Sequence, residues 1–323
     1  MKRYTAGPND AGMRLDRFLC RLLPHLPPSL IQRALRQKKA RLNGRHQPPS
    51  ARLREGDAVT LYLNDEMLEA PASGDAHLCV GSPSVRVVYE DENLLIADKP
   101  PGQSAQEDAY GAGGALITHI RAYLYQKGEW RPERENAFRP ELCHRIDRNT
   151  GGLVMAAKTH QALTVICEKL KNREIGKYYL CVVHGAPSPA SGTLRDYIVK
   201  SPERSMVRVS RAPVPGGREA VTVYRTLPHG GGQLSLPEQL SLPEQLTLLE
   251  CKLETGRTHQ IRAQLAAHGH PLLGDGKYGK LKKGEPRAQQ LCAYKLSFDF
   301  TPPPGAMDYL KGKVVEIEPC FFR

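Results

Sequence analysis

Asp147 stands between two guanidiniums in the stretch His144-Arg145-Ile146-Asp147-Arg148-Asn149-Thr150-Gly151-Gly152. A carboxylate so placed stays ionised, because an opposite charge close by favours the charged form. It is a poor general acid but suits a nucleophile or a weak base. A surface aspartate paired with an arginine in a turn fits the same letters, since structural ion pairs also perturb ionisation. A second group of chemical side chains is His259, His268 and His270. Zinc hydrolysis is the chemistry to consider there, but His259 and His268 lie nine residues apart. No carboxylate stands at metal-ligand spacing beside them, so no metal is expected.

Elements must hold these groups, and the periodicities suggest which. The stretch around Asp147 reads as a loop entering a buried strand over 153–158, followed by a helix over 159–173 with Leu163, Ile166, Cys167 and Leu170 inward. Residues 177–183 form a strand ending at His184-Gly185, and 246–253 form another. The turn Glu254-Thr255-Gly256-Arg257 leads to a helix with Thr258 as N-cap and Gly269 as stop. A last strand pair lies around 292–296 and 314–317. Upstream, 85–100 read as strand, acidic turn and strand, and a helix carries Leu116, Ile117, Ile120 and Leu124. Between Gly216 and Glu250 no pattern is readable. There Gln233-Leu234-Ser235-Leu236-Pro237-Glu238 recurs unchanged as 239–244, which reads as slippage lengthening a surface loop.

The first 63 residues read as a separate module and 64–84, rich in Ala, Pro, Ser and Gly, as a flexible linker. Leu15, Phe18, Leu19, Leu22 and Leu23 recur at helical spacing up to Pro24. Ser29 is a good N-cap for a second helix with Leu30, Ile31, Ala34 and Leu35 on one side. Asn43-Gly44 signals a two-residue hairpin, and Glu55-Gly56-Asp57 turns into a strand over 58–63. Arg33, Arg36, Lys38, Lys39, Arg41, Arg45, Arg52 and Arg54 fall between Ile31 and Arg54 with no acid among them. A one-sign patch that dense suggests phosphate contact.

Over the whole chain the formal net charge is +12 and the pI about 9.3. An anionic partner follows, nucleic acid first. No run approaches the roughly 18 apolar residues of a membrane span. The N-terminus lacks the apolar core of a secretory signal. The 8 cysteines are scattered without a C-x-x-C pair, which reads as reduced thiols in a cytoplasmic protein.

Arg14-Leu15-Asp16-Arg17-Phe18-Leu19, Ser29-Leu30-Ile31-Gln32-Arg33, Ala40-Arg41-Leu42-Asn43-Gly44 and Leu53-Arg54-Glu55-Gly56-Asp57 resemble, in that order, the S4 RNA-binding domain. The resemblance implies binding of structured RNA through backbone and shape, with Arg17, Arg33, Arg36, Lys38, Lys39, Arg41 and Arg45 as contacts. From 85 to the C-terminus three further pieces resemble the RluA-type pseudouridine synthases. They are the Asp147 stretch through Leu153, Lys177-Tyr178-Tyr179-Leu180, and Thr255-Gly256-Arg257-Thr258-His259-Gln260-Ile261-Arg262 with Gly269-His270-Pro271-Leu272-Leu273-Gly274-Asp275. The whole chain looks like the RluC/RluD branch, which modifies large-subunit ribosomal RNA.

This resemblance implies an α+β fold with a mixed, mainly antiparallel central sheet and flanking helices. It implies isomerisation of uridine to pseudouridine in ribosomal RNA, no cofactor, no membrane, no metal, and a monomer. Asp147 is then the catalytic carboxylate and Arg262 its partner. Tyr179 is the active-site tyrosine, stacked on the uracil and available to take the C5 proton. His144, Arg145, Ile146, Arg257 and His259 would contact substrate, Arg145 by filling the stack that the extruded uridine leaves. Two features depart from the family pattern: Pro101-Gly102-Gln103-Ser104-Ala105-Gln106 replaces a Gly and apolar-His-Pro run, and Gly152 stands where Ser is common. A non-catalytic RNA-binding or ribosome-assembly factor is the alternative.

Overall fold

Two stretches of chain bury separate apolar cores. The structure is a computed structural model and describes residues 1–68, 80–107, 114–201, 206–227, 246–301, 305–319 and 321. The N-terminal stretch runs β1 (Lys2–Thr5), α1 (Leu15–Leu22), α2 (Pro28–Arg36), β2 (Ala40–Leu42), β3 (Ala58–Leu61) and one helical turn, α3 (Asp65–Leu68). Its strands form an antiparallel sheet in the order β1-β3-β2. Leu15, Phe18 and Leu19 of α1 share a buried core with Ile31, Ala34 and Leu35 of α2 and with Val59 and Leu61 of β3, as their helical spacing requires.

Several details here correct the sequence expectation. The helix α2 starts at Pro28, whose missing N–H costs nothing at the first helical position, and Ser29 lies inside the first turn. Asn43 and Gly44 do turn with φ of 50° and 76°, but the ladder beyond them is the single Leu42–Arg45 bridge. Pro48 and Pro49 follow, and proline cannot donate to a ladder, so β2 pairs with β3 instead. The expected linker begins as α3, with Leu68 buried in the N-terminal core. At its far end Gln126 donates to the carbonyls of Val80 and Gly81; residues 69–79 lie outside the described ones.

The rest of the chain contributes β4 (Val87–Glu90), β5 (Leu94–Lys99), α4 (Leu116–Gln126), β6 (Glu141–Leu142), β7 (Gly151–Ala157), α5 (His160–Lys171), β8 (Ile175–His184), β9 (Ser191–Lys200), β10 (Val207–Ser210), β11 (Arg218–Thr226), β12 (Leu246–Leu253), α6 (Gln260–Ala267), β13 (Leu291–Phe298) and β14 (Val314–Glu316). Together the strands make one 11-stranded sheet, ordered β10-β9-β11-β12-β8-β13-β7-β5-β4, with β14 beside β13 and β6 beside β7. Among the described residues β7 and β13 are its parallel pair and the other pairs are antiparallel. The α+β class with a mixed, mainly antiparallel sheet is therefore the observed one.

Both faces of the sheet are covered at its centre. Leu95, Ala97, Val154 and Ala156 share a core with Ile117 and Ile120 of α4 and Ile261 and Leu265 of α6. Leu94, Ile96, Leu153 and Met155 share the opposite one with Leu163 and Ile166 of α5. Burial on two faces explains why the run entering β7 is apolar without alternation. Each of the Leu, Ile, Val and Met side chains among them contributes about 1.5–3 kcal/mol relative to exposure.

The strands β9, β10 and β11 occupy sequence in which no regular structure was legible, and β11 corrects the expectation of an uninformative stretch after Gly216. Their inward positions include Asp196 and Thr222, both buried, which break the apolar alternation. They are polar because Gln264 of α6 reaches them, donating to Asp196 Oδ2 at 2.7 Å and accepting from Thr222 Oγ1 at 2.7 Å. The duplicated hexapeptides at 233–244 lie outside the described residues.

Gly152 has no room for the serine that the resemblance put at its position. It lies inside β7 with φ of 112°, and a Cβ there would sit 2.2 Å from the carbonyl oxygen of Ala293 in β13. Only glycine allows the two strands to approach so closely next to the Asp147 loop.

Candidate active site

Asp147 sits in the loop between β6 and β7, where its own carbonyl accepts from Thr150 N–H at 3.1 Å. The neighbouring carbonyl of Arg148 accepts from the Lys99 ammonium at 2.8 Å and from Gly102 N–H at 2.9 Å. Lys99 is fully buried and also donates to the carbonyls of Pro100 and Gln103. A buried ammonium is tolerable when its donors are satisfied, and this one ties the turn after β5 to the Asp147 loop.

Arg262 reaches Asp147 from the first turn of α6. Its Nη1 donates to Asp147 Oδ2 at 3.0 Å, while Nε and Nη2 grip Asp275 Oδ2 and Oδ1 at 2.7 and 2.9 Å. This fork-to-fork contact fixes the guanidinium plane. Burial works against the Arg262 charge, but Asp275 and then Asp147 outweigh it and hold the group above its ordinary value. Asp275 is likewise pushed up by burial and held below the usual carboxylate range by Arg262.

The start of α6 differs from expectation. His259, not Thr258, precedes the helix, in the left-handed region with φ of 52° and ψ of 26°. The Gln260 side chain folds back over the turn, its Oε1 accepting from Arg257 N–H at 3.0 Å and from Thr255 Oγ1 at 2.8 Å. Neither bond reaches the free N–H groups of the first helical turn, so the fold-back braces the turn before α6 and no side chain caps the helix.

A cavity of about 550 Å³ opens beside Asp147, within the size range of small-molecule sites. His144, Arg145, Ile146, Asp147, Tyr179, Arg257, His259 and Arg262 all line it, so every residue expected at the site from 85 onward is brought together. Ser104, Ala105, Gln106 and Glu107 line it as well, the first three within the stretch that departs from the family pattern.

Tyr179 is buried in β8, and burial followed by the Asp147 charge pushes its phenol well above the usual tyrosine value. His144 is held neutral: burial, and then the charge of Lys177, pushes it down to about 3. Its Nε2 accepts from Met155 N–H at 3.2 Å, which places the ring proton on Nδ1. Ile146 is buried and belongs to the core under α4 and α6. Arg257 is partly committed to structure, its Nε donating to Glu219 O at 3.0 Å. Arg145 is exposed and makes no ion pair among the described residues.

The three histidines considered for a metal face different partners: His259 meets Tyr278, His268 meets Asp196, and His270 meets the carbonyl of His184. Among the described residues no group of three or more His, Cys, Asp or Glu side chains is arranged to hold a metal ion. No helix among them is long and apolar enough to cross a membrane. In the N-terminal stretch Arg17, Arg33, Arg36, Lys38, Lys39, Arg41 and Arg45 are all exposed and form no ion pair among the described residues. Arg41 lies over the exposed ring of Tyr62, 5.1 Å from its centroid.

Three side chains that brace the candidate site were not singled out from the sequence: Asp275, Tyr278 and Lys99. Asp275 stood at the end of the third motif, and a lone acid directly after a glycine was the available signal. Nothing in the letters says that Arg262, 13 residues away, is its partner.

A sequence profile described as RNA pseudouridylate synthase matches residues 93–267. The chain is 34% identical over 287 residues to the ribosomal large subunit pseudouridine synthase D of Xanthomonas campestris pv. campestris, covering 88% of this chain and 77% of the relative. It is 31% identical over 284 residues to the protein of the same name from Escherichia coli K12, covering 88% and 76%. The solved human RNA pseudouridylate synthase domain containing 1 superposes with a TM-score of 0.52 at 20% identity, covering 73% of this chain and 91% of that one, and so shares the fold. With the profile spanning more than half its length and relatives aligned over most of the remainder, the chain belongs to the RNA pseudouridylate synthase family and is an isomerase that acts on uridine in RNA.

Proposed function

We propose that the substrate is large-subunit ribosomal RNA and that Asp147 is the catalytic carboxylate. In this reading residues 1–63 are an S4-type RNA-binding module, joined through 64–84 to a catalytic domain over 85–323. The observation that carries the proposal is Asp147, held on one oxygen by a buried Arg262–Asp275 pair, in the wall of a cavity that Tyr179 also lines. The relatives' names, which specify the ribosomal large subunit, support the choice of RNA.

The chemistry needs little more. The N1–C1′ bond breaks, the base turns, C5 bonds to C1′, C5 loses a proton and N1 gains one. Nothing is oxidised and no group is added, so the balance calls for no cofactor or metal. Glycoside hydrolysis uses two carboxylates, one of them protonated for a departing leaving group. Here the uracil is retained, and one ionised carboxylate suffices, acting at C1′, on the base, or on a ribose proton. Tyr179, whose phenol is pushed up by burial and then by the Asp147 charge, packs against the uracil and is available to take the C5 proton.

Extruding the uridine costs a few kcal/mol. Arg145, exposed and without an ion pair among the described residues, is the side chain that fills the vacated stack, and Ile146 packs under the base. His144, Arg257 and His259 border the substrate. The seven exposed cations of the N-terminal module contact phosphates. The enzyme works as a monomer in the cytoplasm, a location in keeping with the unbridged thiols of Cys20, Cys143, Cys167, Cys181, Cys251 and Cys292.

The test is a map of pseudouridine across all RNAs from cells lacking the gene, complemented by the wild type or by Asp147→Asn. The expected outcome is loss of one or more pseudouridines in 23S ribosomal RNA, restored by the wild type alone, while Asp147→Asn still binds the RNA. Maps unchanged by deletion would favour the non-catalytic assembly factor.

A further inference from the structure

Both contacts of the Asp147 carboxylate fall on one oxygen. Arg262 Nη1 lies 3.0 Å from Oδ2, and His259 Nε2 lies 3.9 Å from the same atom. Among the described residues no hydrogen bond reaches Oδ1.

The His259 ring is held from behind. Its Nδ1 lies 2.7 Å from the hydroxyl of Tyr278, and that hydroxyl accepts from the backbone N–H of Val207 at 3.0 Å. Accepting that N–H leaves the phenolic proton free to donate to Nδ1. A neutral imidazole that accepts at Nδ1 carries its proton on Nε2, the nitrogen that faces Asp147. Burial first, then the charges of Arg262 and Lys277, push His259 below its ordinary value, against the opposing pull of Asp147 and Asp275.

Two further observations point to the same assembly. His259 adopts the left-handed backbone that non-glycine residues seldom use, and such outliers persist where surrounding structure enforces them. The Tyr278 ring also lies 5.3 Å from the Arg262 guanidinium, so Tyr278 touches both groups that address Oδ2.

We propose that Tyr278 and His259 are positioning residues for the catalytic carboxylate: the chain from Val207 through Tyr278 and His259 presents a neutral Nε2–H donor to Oδ2, which together with Arg262 holds that oxygen and leaves Oδ1 to act on the substrate. This rests on the proposal that Asp147 is the catalytic carboxylate. A separation of 3.9 Å is longer than a hydrogen bond, and in this proposal the contact tightens in the substrate complex.

The test compares His259→Gln, His259→Asn and Tyr278→Phe in single-turnover release of tritium from C5-labelled uridine, using ribosomal RNA of a strain lacking the gene. A Gln amide can place a donor where Nε2 stood, and an Asn amide only where Nδ1 stood. His259→Asn is expected to lose about tenfold to a hundredfold in rate with RNA binding retained, the scale of one hydrogen bond to a charged group. His259→Gln should lose only a few fold, and Tyr278→Phe should fall between them. Asn tolerates left-handed backbone better than Gln, so a merely structural role gives the reverse order and overturns the proposal.

Ring-nitrogen NMR of the free protein supplies a readout that needs no substrate. A proton on Nε2 of His259 supports the chain, with Nδ1 tautomer growing in Tyr278→Phe; a proton on Nδ1 in the wild type overturns it. If Asp147→Asn keeps its rate, or if the wild type releases no tritium from ribosomal RNA, the functional proposal fails, and the NMR result still decides the hydrogen-bond chain.

Discussion

Arg262 is the residue on which the site converges, because one guanidinium serves two carboxylates that come from distant parts of the chain. Lysine offers a point charge without the planar fork. Arg262→Lys should therefore lower kcat by on the order of a hundredfold, the scale of removing one preorganised donor from a reacting group, with RNA affinity nearly unchanged. Arg262→Met should go further and cost about 3–5 kcal/mol of stability, since it leaves Asp275 charged and buried without its partner. Single-turnover rates and urea unfolding measure the two effects; unfolding curves that match the wild type would mean that Asp275 finds another partner. At this scale the letters showed which side chains carry charge, and motif order placed Asp147, Tyr179 and Arg262 together. They could not show that Arg262 takes Oδ2 of Asp147, nor that burial and the Asp147 charge push the phenol of Tyr179 up, because both follow from neighbours remote in sequence.

The elements carry two more predictions. Gly152→Ala puts a Cβ against the backbone of Ala293 at a positive φ. It should destabilise by about 1–3 kcal/mol and slow turnover, because β7 leads directly out of the Asp147 loop; full activity with an unchanged Tm would show that β13 can yield.

The second concerns Glu250 on β12. It accepts from Arg225 Nε of β11 at 2.5 Å and from Lys295 Nζ of β13 at 3.1 Å, and Tyr294 donates to it as well. Burial pushes this carboxyl up, but the bonds from Arg225, Tyr294 and Lys295 prevail and hold it down at about 2. A folded value below the unfolded one, about 4.3, gives stability that is complete above the unfolded value and is lost as pH falls toward about 2. Glu250→Gln should thus be about 1–3 kcal/mol less stable than the wild type at about pH 7, and denaturant titrations should show the gap narrowing by roughly half at about pH 3. A gap independent of pH would remove Glu250 as the clamp. Strands with strong periodicity were legible, and β9 and β11 were not, since inward Asp196 and Thr222 mimic exposure.

For the whole molecule, the excess of positive charge is concentrated where no acid balances it. Deleting residues 1–63 should weaken RNA binding, and raising salt should weaken the intact protein more steeply than the truncated one. The salt slope is expected to fall by about 0.7–0.9 for each phosphate that the truncated protein no longer neutralises, as read by filter binding across a salt series. Equal slopes would take Arg33, Arg36, Lys38, Lys39, Arg41 and Arg45 out of the interface. The two parts of the chain also touch: Asn9 donates to Glu135 at 2.7 Å, Asn136 to Asp10 at 2.7 Å, and Arg21 pairs with Glu141 at 2.8 Å. Those partners lie just before the Asp147 loop.

By itself the sequence determined the family, the fold class, the order of the main elements and the identity of the charged groups. These depend on local periodicity and on short runs of letters whose chemistry survives without coordinates. Only the tertiary structure decided that β2 turns to β3, that Gly152 must be glycine, that Asp275 locks Arg262, and that Tyr278 meets the ring of His259. Each of these is a meeting of residues far apart in the chain, made specific by angstrom-scale distances that no linear pattern encodes.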